Sequence, residues 1–144
     1  MTDFVLDASV TMSWLLGDAQ TADRSYAETV LDALKDPGTR ARVPVTWGLE
    51  VANVISRAET KSFVVEAQSN AFLEMLRDAP IEADDSTFAR ALTDTLHLAR
   101  RYGVSAYDAS YLELALRSGL PLATLDVDLA KAASKAGVAL FGRH

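Results

Sequence analysis

The sequence predicts an α/β domain built around a mainly parallel sheet. Short apolar runs such as Phe4–Leu6 end at an acid or a turn, which is the form of a buried parallel strand. Longer amphipathic segments separate these runs, and this alternation is typical of α/β proteins. At 144 residues the chain has the usual size of one domain with a sizeable core. We therefore expect a single domain over residues 1–144.

In the first half of the chain, Phe4–Leu6 is a predicted strand. Arg42–Val45 is a second short strand, and its proline argues against a central place in the sheet. Helices are predicted where apolar residues repeat with helical spacing behind a capping residue or ahead of a turn. These helices span Ala8–Leu16, Ala22–Leu34, Thr46 to about Ala58, and Ser62 to Arg77 or Asp78.

After the short segment Ile81–Ala83, the second half follows the same logic, with glycines marking three helix ends. The predicted elements are a helix over Thr87–Tyr102, a helix from Ser105 to Gly119, a strand over Leu122–Leu125, a helix over Val127–Ala136 and a last strand over Val138–Phe141.

Composition narrows the possible functions. The chain has no cysteine, which excludes disulfides and thiolate metal sites and suits a reducing cytoplasm. The uncharged run Ala8–Gly17 is too short for a membrane span, so we expect no signal peptide and no anchor. The net charge is −6, and the basic residues are scattered. If the partner is a polyanion, something other than side-chain charge must attract it.

Four acids are predicted to lie at one end of the fold. Asp7 and Asp126 directly follow predicted strands, whereas Glu50 and Asp108 lie in the first turns of predicted helices. In parallel α/β sheets the ligand crevice lies at the carboxyl ends of the strands. These acids are therefore candidate ligands or catalytic groups.

Each acid also has a purely structural interpretation. Asp7 and Asp126 could be helix N-caps. The segment Ser105-Ala106-Tyr107-Asp108 matches a capping box, in which the acid binds a backbone amide. Glu50 could be a solvated acid, because it lies on a polar strip with Asn53.

The helical wheel separates the two interpretations for Asp108. Ser110, Glu113 and Arg117 gather on one side of the helix, which we expect to face water. Asp108 points roughly the opposite way, toward the apolar residues. A capping acid has no need to face the core, and a buried carboxylate is costly without a partner or a metal.

Converging carboxylates, with no cysteine and no suitably paired histidine, favour a hard cation such as Mg²⁺ or Mn²⁺. Such sites usually perform phosphoryl chemistry, and the metal would supply the positive charge that the chain lacks. No G-x-S-x-G, G-x-G-x-x-G or P-loop motif is present.

Three blocks of the sequence resemble the PIN-domain ribonucleases, specifically the VapC toxins of toxin–antitoxin pairs. They are FVLDASVTMSWLL, VPVTWGLEVANVI and YGVSAYDASYLELALRSGLPLATLDVDLAKAASKAGV, so that the resemblance runs from about residue 3 to residue 141. It implies a three-layer α/β/α sandwich and Mg²⁺- or Mn²⁺-dependent endonucleolytic cleavage of RNA, often tRNA or ribosomal RNA. It also implies a homodimer, a cognate VapB-type antitoxin and a cytoplasmic location.

The resemblance also assigns roles to individual positions. The metal-binding quartet that it implies is Asp7, Glu50, Asp108 and Asp126, with Asp128 as a secondary ligand. Small or polar residues that it places beside the site are Ser9, Asn53 and Thr124.

Two other functions compete with this one. A PIN-like module could bind RNA or a protein without cutting. A phosphatase of the haloacid dehalogenase type also has a first-strand aspartate, but it needs a second aspartate two residues later, where this chain has Ser9.

Overall fold

The computed structural model describes residues 3–17 and 21–143. Its centre is a parallel sheet of four short strands in the order β3-β2-β1-β4. The strands are β1 (Phe4–Leu6), β2 (Ala41–Val43), β3 (Ile81–Ala83) and β4 (Leu122–Ala123).

Helices connect the strands. They are α1 (Ala8–Leu16), α2 (Ala22–Ala33), α3 (Thr46–Thr60), α4 (Glu66–Asp78), α5 (Thr87–Arg90), α6 (Leu96–Tyr102), α7 (Ala106–Ser118) and α8 (Val127–Ala136). A π-helical turn, Ala91–Thr95, joins α5 to α6, so the helical segment predicted over Thr87–Tyr102 is confirmed as one run with a wide turn inside it. No helix among the described residues is long and apolar enough to cross a membrane.

The alternation of side chains along β1 divides the core into two halves. Phe4 and Leu6 pack against residues of α1 to α4 on one face of the sheet. Val5 packs on the other face, against α7 and α8. Since successive strand residues point to opposite faces, both faces of the sheet are covered by helices. The predicted three-layer α/β/α sandwich is confirmed.

The structure corrects several boundaries. Pro44 lies just after β2, so it removes no hydrogen bond from the sheet, and β2 is internal rather than peripheral. Ser62 has a positive φ of 61° and does not start α4, which begins at Glu66. Ile81–Ala83, left unassigned by the sequence analysis, is strand β3. The predicted last strand is reduced to one parallel bridge, between Leu140 and Leu122.

The prediction that the Glu113 side of α7 faces water is wrong. Glu113 is 5% exposed, and Ser110 is also buried, because the π-helical turn and α6 pack over this side of the helix. The Glu113 carboxylate is instead paired with Arg117, whose Nε lies 2.8 Å from Glu113 Oε2. The helical wheel correctly predicted that Asp108 and Glu113 point in different directions. It could not predict which element covers Glu113.

Candidate active site

The four predicted acids face the same edge of the sheet. Asp7 follows β1 and Asp126 follows the end of β4, and the two strands are neighbours. The Asp7 amide donates a hydrogen bond of 3.0 Å to the carbonyl of Ala123, which fixes the two strand exits side by side. Repulsion from Asp126 contributes to the pKa of Asp7, and repulsion from Asp7 contributes to the pKa values of Glu50 and Asp108. The acids therefore form one electrostatic group.

Two hydroxyl groups hold Asp7 in place. Ser9 Oγ donates to Asp7 Oδ2 at 2.6 Å, and Thr124 Oγ1 donates to the same oxygen at 2.7 Å. The Leu125 amide in turn donates to Ser9 Oγ. Asp7 occupies the N-cap position of α1, but its side chain makes no capping hydrogen bond. Its interpretation as a simple N-cap is therefore not supported.

Burial of the Asp7 carboxylate still costs free energy despite these bonds. Asp7 is 4% exposed, and this burial raises the pKa of its carboxyl group. The hydrogen bonds from Ser9 and Thr124 oppose the rise, and the nearby Asp126 adds to it. Burying a charge without a compensating partner costs free energy. A cation at this position would offset that cost.

Glu50 is held by a residue that the sequence analysis did not single out. The Tyr111 hydroxyl on α7 donates to Glu50 Oε1 at 2.9 Å. Burial raises the pKa of Glu50, the bond from Tyr111 lowers it, and repulsion from Asp7 and Asp108 raises it again. Tyr111 follows Asp108 by three residues on the same face of α7, and that spacing was the available signal for its role.

Asp108 lies at the start of α7. Ser105 caps this helix, because its Oγ accepts a hydrogen bond of 3.0 Å from the Asp108 amide. The reciprocal bond of a capping box, from the Ser105 amide to the Asp108 carboxylate, is absent from the hydrogen bonds of the described residues. Burial and repulsion from Asp126, Asp7 and Asp128 raise the pKa of Asp108 to about 6. Its carboxylate is therefore not committed to capping the helix.

Asp126 has two roles open to it. Its Oδ1 accepts a hydrogen bond of 3.0 Å from the Leu129 amide, so it does cap α8. A carboxylate has two oxygens, and a cap uses only one of them.

Asp128 is exposed in the first turn of α8. Asn53 is exposed on α3, one turn after Glu50, and its side chain makes no hydrogen bond within the described part of the chain.

One acid satisfies the rule used for Asp7 and Asp126 but does not belong with them. Asp84 directly follows β3, and its side chain is 2% exposed. Arg117 binds it in a bidentate manner, at 3.1 Å from Nη1 to Oδ1 and 2.7 Å from Nη2 to Oδ2. The same guanidinium binds Glu113. Asp84 is therefore neutralised inside the protein.

The contrast between paired and unpaired acids defines the site. Within residues 3–17 and 21–143, no ion pair involves any of the five candidate acids Asp7, Glu50, Asp108, Asp126 and Asp128. The buried acids Asp84 and Glu113 share Arg117 instead. Carboxylates that repel one another and form no ion pair with any described cation mark a place for an external cation.

The donor set fits a hard divalent cation, because oxygen ligands suit Mg²⁺ and Mn²⁺. In the described part of the chain, no three acids or histidines already form a compact metal cluster. Repulsion among the carboxylates opposes a closer approach, and a bound cation would favour it.

Comparison with known proteins identifies the family. The sequence matches the PIN domain family over residues 4–135, and the chain belongs to that family. It is also similar to Ribonuclease VapC3 from Pyrobaculum aerophilum, with 34% identity over 82 residues. That match covers 57% of this chain and 63% of the relative. The resemblance inferred from the sequence blocks is thus confirmed.

Solved structures support the same fold. A protein from Pyrobaculum aerophilum has a TM-score of 0.64 at 20% identity, and the match covers 91% of this chain and 84% of that one. FitAcB from Neisseria gonorrhoeae has a TM-score of 0.59 at 20% identity, covering 96% of each chain. VapBC2 from Rickettsia felis, bound to a DNA fragment from their promoter, has a TM-score of 0.63 at 11% identity, covering 96% of this chain and 97% of that one. At these identities the likeness concerns the fold.

Proposed function

We propose that this protein is a metal-dependent endoribonuclease of the VapC toxin type, formed by a single PIN domain over residues 1–144. Its substrate would be RNA, with tRNA or ribosomal RNA as the expected target. The observation that carries the proposal is the group of acids that share one sheet edge and have no ion-pair partner among the described residues, while the buried acids Asp84 and Glu113 are paired with arginines. Membership of the PIN domain family and the similarity to Ribonuclease VapC3 support it.

In this proposal Asp7, Glu50, Asp108 and Asp126 hold Mg²⁺ or Mn²⁺, with Asp128 as a secondary ligand. The bound metal would neutralise phosphate charge and lower the pKa of an attacking water. A hard cation would also resolve the conflict between a polyanionic substrate and a chain of net charge −6.

The chain's own residues orient the acids. Ser9 and Thr124 fix Asp7 Oδ2, which keeps the other oxygen of Asp7 in a defined direction. Tyr111 fixes Glu50 Oε1, and the second oxygen of Glu50 would position the attacking water and accept its proton. The raised pKa of Glu50, caused first by burial, makes its carboxylate a stronger proton acceptor than an ordinary glutamate. No side-chain nucleophile is required.

The test is cleavage of RNA by the purified chain with Mg²⁺, with excess EDTA, and with the variants Asp7→Asn and Asp108→Asn. Asp78→Asn is the matched control, because Asp78 is exposed at the end of α4. We expect cleavage only with the metal, a loss of at least a hundredfold in the two site variants, and full activity in the control. Undiminished cleavage in EDTA, or by both site variants, would contradict the proposal. Tight RNA binding without cleavage would favour the non-cutting module.

We also propose a cognate VapB-type antitoxin, a homodimer and a cytoplasmic location. Exposed apolar side chains near α4 support an interface, since Phe63 is 71% and Leu73 38% exposed. Light scattering of the purified chain measures the oligomeric state. Co-expression with a small neighbouring open reading frame tests whether its product relieves toxicity.

A further inference from the structure

A cavity of about 500 Å³ opens beside the acid cluster. Thr124 and Asp126, which belong to the candidate active site, line one end of it. The exposed face of α8 and the C-terminal segment form most of the remaining wall, and the start of α2 contributes Asp23. The cavity therefore continues from the acids along α8.

Three cations line this cavity. Lys131 and Lys135 are four residues apart on α8, so they share one face and lie about 6 Å apart along the helix axis. Arg143 approaches from the C-terminal segment. Among the described residues, the ion pairs include none of these three side chains. No carboxylate of the described residues therefore neutralises these three cations in an ion pair.

Arg143 is held in position by an aromatic ring. Its guanidinium lies 4.1 Å from the centroid of Tyr26, a favourable cation–π arrangement. The Tyr26 hydroxyl donates to the carbonyl of Phe141 at 2.6 Å, which ties the ring to the C-terminal segment. This cation is thus pre-positioned, which reduces the entropy lost when it binds an anion.

We propose that this cavity binds backbone phosphates of the RNA strand next to the phosphate that is cleaved. The inference rests on the proposed nuclease function, because it takes the acid cluster as the place of the reacting phosphate. A strand that reaches Thr124 and Asp126 enters the cavity directly, and its next phosphates meet the lysines of α8. The chain has only four lysines, and two of them line this cavity. Local cations thereby bind the strand although the net charge is −6.

One acid that lines the cavity allows a substitution that should change RNA affinity in the opposite direction. Asp23, exposed at the start of α2, also lines the cavity. A carboxylate at this position weakens phosphate binding, so its removal should strengthen it. A structural role for the cavity residues would not produce opposite effects on RNA affinity from the two kinds of substitution.

The experiment measures binding of a labelled single-stranded RNA by fluorescence anisotropy. Asp7→Asn is the common background, so that the RNA stays intact. Lys131→Gln with Lys135→Gln is compared with Lys35→Gln and Lys61→Gln, which removes the other two lysines of the chain. Both pairs remove two positive charges, and glutamine matches lysine in helix propensity. Thermal unfolding verifies that both variants are folded.

We expect the cavity pair to weaken RNA binding on the order of tenfold at low salt and to reduce the salt slope by about 1.4, since each phosphate contact on a single strand contributes about 0.7. The control pair should change affinity less than twofold, and Asp23→Asn should increase it. Millimolar inorganic phosphate should leave the difference between the two pairs intact if the cavity binds a strand. Loss of that difference would assign the cavity to the free anion and overturn the proposal.

Equal affinities of the two lysine pairs would also overturn it. Unchanged RNA affinity with weakened antitoxin binding would assign the cavity to a protein partner instead. The nuclease proposal fails separately, by absence of metal-dependent cleavage in the chain with Asp7 intact. If that chain cleaves RNA and the cavity pair leaves its KM unchanged, the nuclease proposal stands and the cavity proposal falls.

Discussion

Replacing Asp108 by asparagine should stabilise the metal-free protein while disabling its site. The pKa of Asp108 is raised from its ordinary 3.8 to about 6, first by burial and then by repulsion from Asp126, Asp7 and Asp128. Because the folded protein resists ionisation of this group, the ionised form opposes folding. Asparagine has nearly the same shape and carries no charge, so it removes that opposition.

The size of the stabilisation by Asp108→Asn follows from the pKa shift of Asp108. About two pKa units correspond to about 3 kcal/mol at full strength. Asp108 is only half-buried, so solvent screening reduces the expected gain to about 1 kcal/mol. For a chain of this length, that gain raises the melting temperature by about 3 °C. The matched control is Asp23→Asn, which also removes an acid from the first turn of a helix but lies outside the acid cluster.

The sign of the pH dependence is fixed by the direction of the shift. The folded state keeps a proton on Asp108 that the unfolded chain has already released, so this group supports folding at low pH. That support disappears as the pH rises from about 4 through about 6. The advantage of Asp108→Asn should therefore be largest near neutral pH and vanish toward about pH 4.

The assay is thermal unfolding in EDTA across this pH range, followed by addition of Mg²⁺. A metal that binds only the folded state stabilises it, so Mg²⁺ should raise the melting temperature of the wild type more than that of Asp108→Asn. The reasoning is refuted if Asp108→Asn in EDTA near neutral pH is no more stable than Asp23→Asn. It is also refuted if the difference between the two variants does not change with pH.

Three further outcomes follow from the contacts described above. Arg117→Leu removes the nearest cation from the buried acids Asp84 and Glu113, whose other arginine neighbours are Arg42, at 3.7 Å from Asp84, and Arg90, at 4.0 Å from Glu113. The free energy of unfolding, measured in urea, should therefore fall by about 3–5 kcal/mol. Burial raises the pKa of Asp84, but its bonds from Arg117 outweigh this and lower it below the ordinary 3.8. In acid titration of the wild type, the contribution of the Asp84–Arg117 pair to the free energy of unfolding should therefore be lost only below about pH 4. Arg117→Leu should lack this loss of stability. Thr124→Val removes a hydrogen bond to Asp7, so Mn²⁺ affinity measured by calorimetry should drop about tenfold or more while the fold is retained.

The sequence was sufficient to place Asp7 and Asp126 at one edge, because both follow apolar runs and parallel strands end on the same side. It was not sufficient to separate them from Asp84. The strand before Asp84 has three residues and contains the charged Glu82, so its apolar signal is weak. The tertiary contact with Arg117, 33 residues away in the sequence, shows that this acid is paired with a cation.

Helical spacing was similarly limited. It predicted that Asp108 and Glu113 point in opposite directions on α7, but not that the segment from α5 to α6 covers Glu113. Burial depends on the neighbouring elements, and a single helix holds no information about them. The position of Pro44 shows the same limit at a strand end, where a shift of one residue decides whether proline interrupts the sheet.

The bond between Thr124 and Asp7 spans 117 positions of the chain. During synthesis, Asp7 is made 117 residues before the hydroxyl group that holds it. A nascent chain that stops before Leu122 has β1 but lacks β4, the strand that flanks it, and also lacks Thr124 and Asp126, which follow β4. The acid cluster therefore cannot assemble in a nascent chain that ends before Asp126.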